Sequence, residues 1–264
     1  MSMNNQVIEL NKNVITIIFI HGFLDEASFW DDVIINLGEN DLVQTLAIDL
    51  PGMGERANDK SNLSLLALKD YVLDKIEHLS GPVILVGHSM GSQIAELVAI
   101  NAKVPIKALI LISPVPLEGN SLPNETKKAM LHLPGNEQAH RDIRTMLCSQ
   151  ANEKVITRMV AAGMKVSSDT LPLLLEAWST GLPACDRPSK FSAPVLIIGG
   201  KKDPFSTPEM IISLILKRFP GAKIAFDEHS GHWPHMESPV DIACCIHTFL
   251  SHLITKQKKN LSSE

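Results

Sequence analysis

Short β-branched apolar runs alternate along this chain with longer stretches whose apolar positions recur every three or four residues. The first pattern is that of buried strands, the second that of helices with one face covered. Val7 to Leu10 and Val14 to Ile20, separated by the turn-forming Asn11-Lys12-Asn13, predict a small hairpin that feeds a central strand. Phe29, Trp30, Val33, Ile34 and Leu37 then fall at helical spacing, followed by a strand over Val43 to Ile48 and a helix over Leu63 to Leu79. Gly81-Pro82 stops that helix before the apolar run Pro82 to Val86, and Gln93 to Lys103 reads as the next helix. Further strands are predicted at Lys107 to Ile112, Val195 to Ile198 and Lys223 to Phe226, with helices over Pro208 to Arg218 and Pro239 to Ile254 and a solvated tail from Lys256.

Strands that alternate with helices imply parallel neighbours, since each crossover must return the chain to the same edge of the sheet. Between Ser113-Pro114 and Arg187 this rhythm breaks. Amphipathic helical stretches follow one another there, over Glu125 to Leu133, Glu137 to Cys148, Glu153 to Lys165 and Leu171 to Thr180. The expected organisation is an α/β core over 1–114 and 187–264 with a helical cap over 115–186, placed to fold across the strand carboxyl ends. Met130, Met146, Met159 and Trp178 of the cap are candidate substrate contacts, because flexible thioethers and a large ring suit an apolar pocket.

Composition narrows the class. With 264 residues, 45% hydrophobic, the chain can bury a large core, and a net charge of -5 spread over interspersed acids and bases offers no basic stripe for nucleic acid. Cys148, Cys185, Cys244 and Cys245 show no Cys-x-x-Cys spacing, which argues against a zinc ribbon or a secreted disulfide framework. The polar start and the shortness of the first apolar run leave no span for a membrane, and the expectation is a soluble cytoplasmic protein. Oligomeric state is not legible.

The candidate chemistry begins at Gly87-His88-Ser89-Met90-Gly91, between a strand and a helix. A serine in that turn is presented at the head of the helix, where the macrodipole and the Met90 N–H favour a developing negative charge. His21-Gly22-Phe23 ends the first central strand, and its Phe23 N–H is the second expected oxyanion donor. Asp203 in Gly199-Gly200-Lys201-Lys202-Asp203-Pro204 and His232 in Gly231-His232-Trp233-Pro234 also lie just past strand ends, where an orienting carboxylate and a general base belong. His21, Gly22, His88 and Trp233 border these groups and are further candidates for substrate contact. Asp49 reads as a carboxylate that bonds the backbone of its own loop. His229, His232 and His235 lack the companions of a recognised ligand set, so no metal is expected.

These stretches, with Asp49-Leu50-Pro51-Gly52-Met53-Gly54 and with Glu237 and Pro239 after His232, resemble the α/β-hydrolase superfamily over nearly the whole chain. The resemblance implies an eight-stranded, mostly parallel sheet with a helical cap, and a Ser89, His232, Asp203 triad that works without a cofactor. The short lead-in to His21 departs from the pattern and implies fewer strands. Ser at position 89 rather than Asp argues against dehalogenase and epoxide-hydrolase chemistry. Hydrolysis of a carboxylic ester of a small or medium, largely apolar substrate is the first expectation. Thioester, lactone and carbon-carbon cleavage compete within the same fold, as do a menaquinone-pathway-like lyase and a receptor that only binds its small molecule. Arginines would serve the lyase's polyanionic substrates, and the elbow helix opens with Ser92-Gln93 instead.

Overall fold

The apolar runs form strands because both of their faces find cover. In the computed structural model, which describes residues 14–182 and 188–261, six strands form one sheet: β1 (Ile15–Ile20), β2 (Val43–Ile48), β3 (Val83–His88), β4 (Ile106–Ile112), β5 (Val195–Gly200) and β6 (Lys223–Asp227). Their order is β2-β1-β3-β4-β5-β6, and every neighbouring pair is parallel. The sheet is thus the expected parallel α/β sheet with six described strands rather than eight. The expected strand at Val7 to Leu10 falls outside the described residues, as does Cys185.

Alternation along each strand sends side chains to opposite faces. From β1 and β3, Ile18, Ile20, Val83 and Leu85 enter one core with Leu68 and Val72 of α2 (Leu65–Ile76) and Ile94 and Val98 of α3 (Met90–Asn101). Ile17, Phe19, Ile84 and Val86 enter the other with Val33 of α1 (Asp31–Leu37) and Ile242, Ile246 and Phe249 of α11 (Pro239–Leu261). Helix α11 continues past Ile254 through a stretch expected as a tail. Lys256, Gln257, Lys258 and Lys259 are good helix formers, and no glycine or proline interrupts them.

Between β4 and β5 the described chain holds only helices: α4 (Asn124–Leu131), α5 (Glu137–Leu147), α6 (Glu153–Met164) and α7 (Thr170–Thr180). Helices α5 and α6 begin at Asn136 and Asn152, whose side chains accept from the N–H groups of Ala139 and Val155. The insertion is fastened to the rest of the fold on two sides. Met130, Leu171, Leu174 and Trp178 join the same core as β3 and α3, while Ile156, Met159 and Val160 of α6 pack on Phe29, Trp233 and Met236. Between β5 and β6, Pro208 to Arg218 is helical throughout, as α8 (Pro208–Met210), a π-helix over Ile211–Ile215 and α9 (Leu216–Arg218).

Candidate active site

Ser89 stands where β3 turns into α3, with φ of 50°, in the left-handed region that L side chains seldom adopt. The turn is enforced from both sides. A Cβ on Gly87 would lie 2.3 Å from the Gly91 carbonyl oxygen, and one on Gly91 would lie 2.4 Å from the Ile20 carbonyl oxygen, so only glycine admits this approach of helix and strands. Ser89 N–H donates to the Ile112 carbonyl at 3.0 Å, which ties the elbow to the end of β4. Met90 opens α3, whose first N–H groups have no partner within the helix.

Three loops at the strand carboxyl ends meet here. Ser89 Oγ lies 3.0 Å from His232 Nε2, and His232 Nδ1 lies 2.7 Å from Asp203 Oδ2. Asp203 accepts through its other oxygen from the N–H groups of Phe205 and Ser206, at 2.8 and 2.9 Å. One oxygen thus secures the turn while the other faces the imidazole. Burial pushes the Asp203 carboxyl up, but His232 and those N–H donors outweigh it and hold the group below the usual aspartate range. A carboxylate at Nδ1 fixes the tautomer whose Nε2 lone pair accepts the serine hydroxyl.

A cavity of about 520 Å³, counted out to its open mouth, lies over this relay. Phe23, Leu24, His88 and Ser89 form its floor, and Met130, Leu133, Ile143 and Trp178 cover it from the helical insertion. Phe205, His232 and Trp233 close one side, and Asp25 with Arg144 contributes its only charged wall among the described residues.

Four expected contacts lie elsewhere. Met146 is 65% exposed, on the outer face of α5. Met159 is fully buried between α6 and Phe29, filling the packing of the insertion rather than the cavity. His21 Nδ1 donates to the Gly22 carbonyl at 2.8 Å and its Nε2 accepts from Leu50 N–H at 3.0 Å, so the ring bolts the first loop to the Asp49 loop. Gly22 is itself covered, since a Cβ there would meet His88 Nδ1 at 2.8 Å and Asp25 Oδ2 at 2.9 Å. Helical spacing shows that a residue faces inward, but not whether it meets a ligand or another helix. Asp49 accepts from Glu55 N–H of its own loop at 3.2 Å, as its neighbours suggested, and also from Ala27 N–H in the loop after β1 at 2.7 Å. His235 is buried with its ring stacked on Trp30 and tilted against His88.

Sequence reasoning passed over Asp25, Arg144 and the role of Glu237. Arg144 carried a signal: it falls on the same helical stripe as His140, Ile143 and Leu147, and a cation at an inward position needs a buried anion. Glu237 accepts from four backbone N–H groups. Two belong to the histidine loop, Gly231 at 3.0 Å and Trp233 at 3.3 Å, and two to the end of α5, Ser149 at 2.7 Å and Gln150 at 2.9 Å.

Among curated proteins, the chain is 25% identical over 231 residues to the (E)-2-((N-methylformamido)methylene)succinate hydrolase of Acinetobacter baylyi, covering 84% of this chain and 85% of that one. It is also 25% identical over 250 residues to the pimeloyl-[acyl-carrier protein] methyl ester esterase of Nitrosomonas europaea, covering 90% and 96%. Among solved structures, an esterase from Exiguobacterium antarcticum superposes with a TM-score of 0.77 at 16% identity, covering 92% of this chain and 93% of that one, a likeness of fold. No described helix is long and apolar enough to cross a membrane. The sequence model described as the Alpha/beta hydrolase family matches residues 17–243, from the first described strand into the last helix, and the chain belongs to that family.

Proposed function

We propose that the protein is a serine hydrolase that cleaves a carboxylic ester of a small to medium, largely apolar substrate through an acyl-enzyme. The observation that carries this reading is the relay of Ser89 Oγ, His232 and Asp203 at 3.0 and 2.7 Å, with Ser89 and His232 lining a mainly apolar cavity. His232 Nε2 takes the hydroxyl proton as Ser89 Oγ attacks the ester carbonyl carbon. The Phe23 and Met90 N–H groups receive the oxyanion, and His232 returns the proton to the departing alkoxide. Water, deprotonated by the same ring, then releases the acid and restores the serine. Asp203 holds the ring in position and stabilises its protonated form.

Two relatives named as an ester esterase and a hydrolase support this reaction class. The Arg144 guanidinium on the wall is already matched by Asp25, which favours an uncharged substrate over a polyanion. Cys148, Cys244 and Cys245 carry free thiols, in keeping with a cytoplasmic setting.

The test is turnover of p-nitrophenyl acetate, butyrate and octanoate by the purified protein beside Ser89→Ala. Loss of about 10⁴-fold or more in kcat is expected in the variant. Equal rates in the two proteins would refute the proposal, and binding of esters with no turnover in the parent would point to a receptor.

A further inference from the structure

Helix α5 reaches the loop after β1 through a buried ion pair. Arg144 Nη1 donates to Asp25 Oδ1 at 2.8 Å and Nη2 donates to the Leu24 carbonyl at 2.6 Å, and the two side chains are only 2% and 0% exposed. The second carboxylate oxygen, Asp25 Oδ2, accepts the Trp233 indole N–H at 3.0 Å and lies 3.3 Å from His88 Nδ1. The guanidinium also covers the Trp233 ring, 4.6 Å from its centre. Asp25 therefore touches a chain neighbour of both Ser89 and His232, and it shares a loop with Phe23.

Two features give this cluster a purpose other than stability. A salt bridge so deeply buried is seldom a net stabiliser, because both charges surrender their hydration. Leu24, between Phe23 and Asp25, has φ of 61°, a conformation that a bulky side chain keeps only when its surroundings impose it. Arg144 grips the Leu24 carbonyl, and Asp25 fixes the residue after it. Gly22 leaves no slack before it, since a Cβ there would collide with His88 and Asp25.

We propose that Asp25 is a positioning residue: gripped by Arg144 of α5 and by the Trp233 indole, it locks the strained backbone at Leu24 and so aims the Phe23 N–H at the oxyanion, which makes the oxyanion pocket complete only while α5 is seated. The proposal rests on the acyl-enzyme reading. Burial pushes the Asp25 carboxyl up, but Arg144, His88 and Trp233 overcome it and keep the group ionised far below the usual range. The titratable and charged groups facing it are Arg144 and Cys148 from α5 and its end, His88 from β3, His21 from the end of β1, and His235 from α10 (Pro234–Glu237).

The experiment compares Asp25→Asn, Arg144→Met, the double variant and Ser89→Ala on p-nitrophenyl butyrate across about pH 5 to 9, with circular dichroism and thermal melts to check folding. In Asp25→Asn, kcat should fall about 10- to 100-fold while KM stays within about threefold, because a misaimed donor weakens the transition state more than the substrate. A fluorophosphonate should still label Ser89. In Arg144→Met, the carboxyl loses its cation and takes up a proton at higher pH, so the acidic limb of kcat should move upward. In the double variant no carboxyl remains to titrate, and the limb should return to the parent's position. Parental kcat and KM in Asp25→Asn, or an unmoved limb in Arg144→Met, would overturn the proposal. Should Asp25→Asn fail to fold, the limb in Arg144→Met decides. Parental activity in Ser89→Ala would instead remove the acyl-enzyme reading on which it rests, so the two failures are distinguishable.

Discussion

The backbone N–H of His232 donates to the Leu147 carbonyl, 2.8 Å away, so the imidazole's own chain is bonded to the last residue of α5. Gly231 makes the contact possible: a Cβ there would lie 2.2 Å from that same carbonyl oxygen. The α5 end of the insertion is consequently part of the site's wall, joined to the histidine loop by main chain as well as by side chains.

Glu237 carries the rest of that junction, with four N–H groups converging on its two oxygens. Glu237→Gln turns one acceptor into a donor that faces two other donors. Unfolding in urea is expected to show a loss of about 1–3 kcal/mol, with kcat reduced because the histidine loop loosens. An unchanged midpoint would show that the junction holds without the carboxylate.

The elbow glycines should resist substitution for a steric reason. Gly91→Ala places a methyl 2.4 Å from the Ile20 carbonyl oxygen and 2.5 Å from that of His21, both rigid backbone. The expected loss is about 1–3 kcal/mol from overpacking, accompanied by slower fluorophosphonate labelling of Ser89. Gly221→Ala, where a Cβ meets none of the described residues within 4 Å, serves as the neutral comparison in the same melts.

Acid should weaken the protein in part through Asp203. Its carboxyl is held below the ordinary value of 3.8 in the folded state, so its contribution is full above that value and is lost as pH falls through the lower folded value. Asp203→Asn is expected to flatten this part of the acid limb in urea unfolding and to lower kcat by about 10³–10⁴-fold through the wrong imidazole tautomer.

His140 gives a second pH dependence in a different window. Both its ring nitrogens are buried between α5 and α6 with no hydrogen-bond partner among the described residues, and burial, helped by Arg144, pushes its pKa down to about 4. Between the ordinary 6.5 and that value only the unfolded chain takes up the proton, so stability should fall on acidification through this range. His140→Leu, which has no polar atoms to bury, is expected to be as stable as the parent near neutral pH and more stable near pH 5, by about 1 kcal/mol or more. Urea midpoints at the two pH values measure it.

Trp178 and Met130 cover the cavity from the insertion, and Trp178 packs edge-on against Phe205. Removing the indole opens space for a longer acyl chain. Trp178→Ala should shift the kcat/KM optimum among p-nitrophenyl esters toward longer chains, by about 1 kcal/mol or more of relative preference.

The linear chain determined whatever depends on short-range order. Apolar runs bounded by glycine and proline marked the strands. Gly87 to Gly91 marked the elbow, and the placement of Asp203 and His232 beside Ser89 was legible because strand ends converge on one edge of a parallel sheet. The same reasoning overextended the predicted tail at Lys256 and could not choose among the inward faces of the insertion, where Met130 and Trp178 meet the cavity but Met159 meets only protein and Met146 meets solvent. Only tertiary structure decided that Arg144 meets Asp25 across a sequence separation of 119 and that Glu237 reaches Gln150 and Ser149, 87 and 88 positions away. A local pattern shows that a charge is buried. Which opposite charge or N–H satisfies it depends on how distant segments pack, because desolvated groups must find their partners wherever the fold brings them.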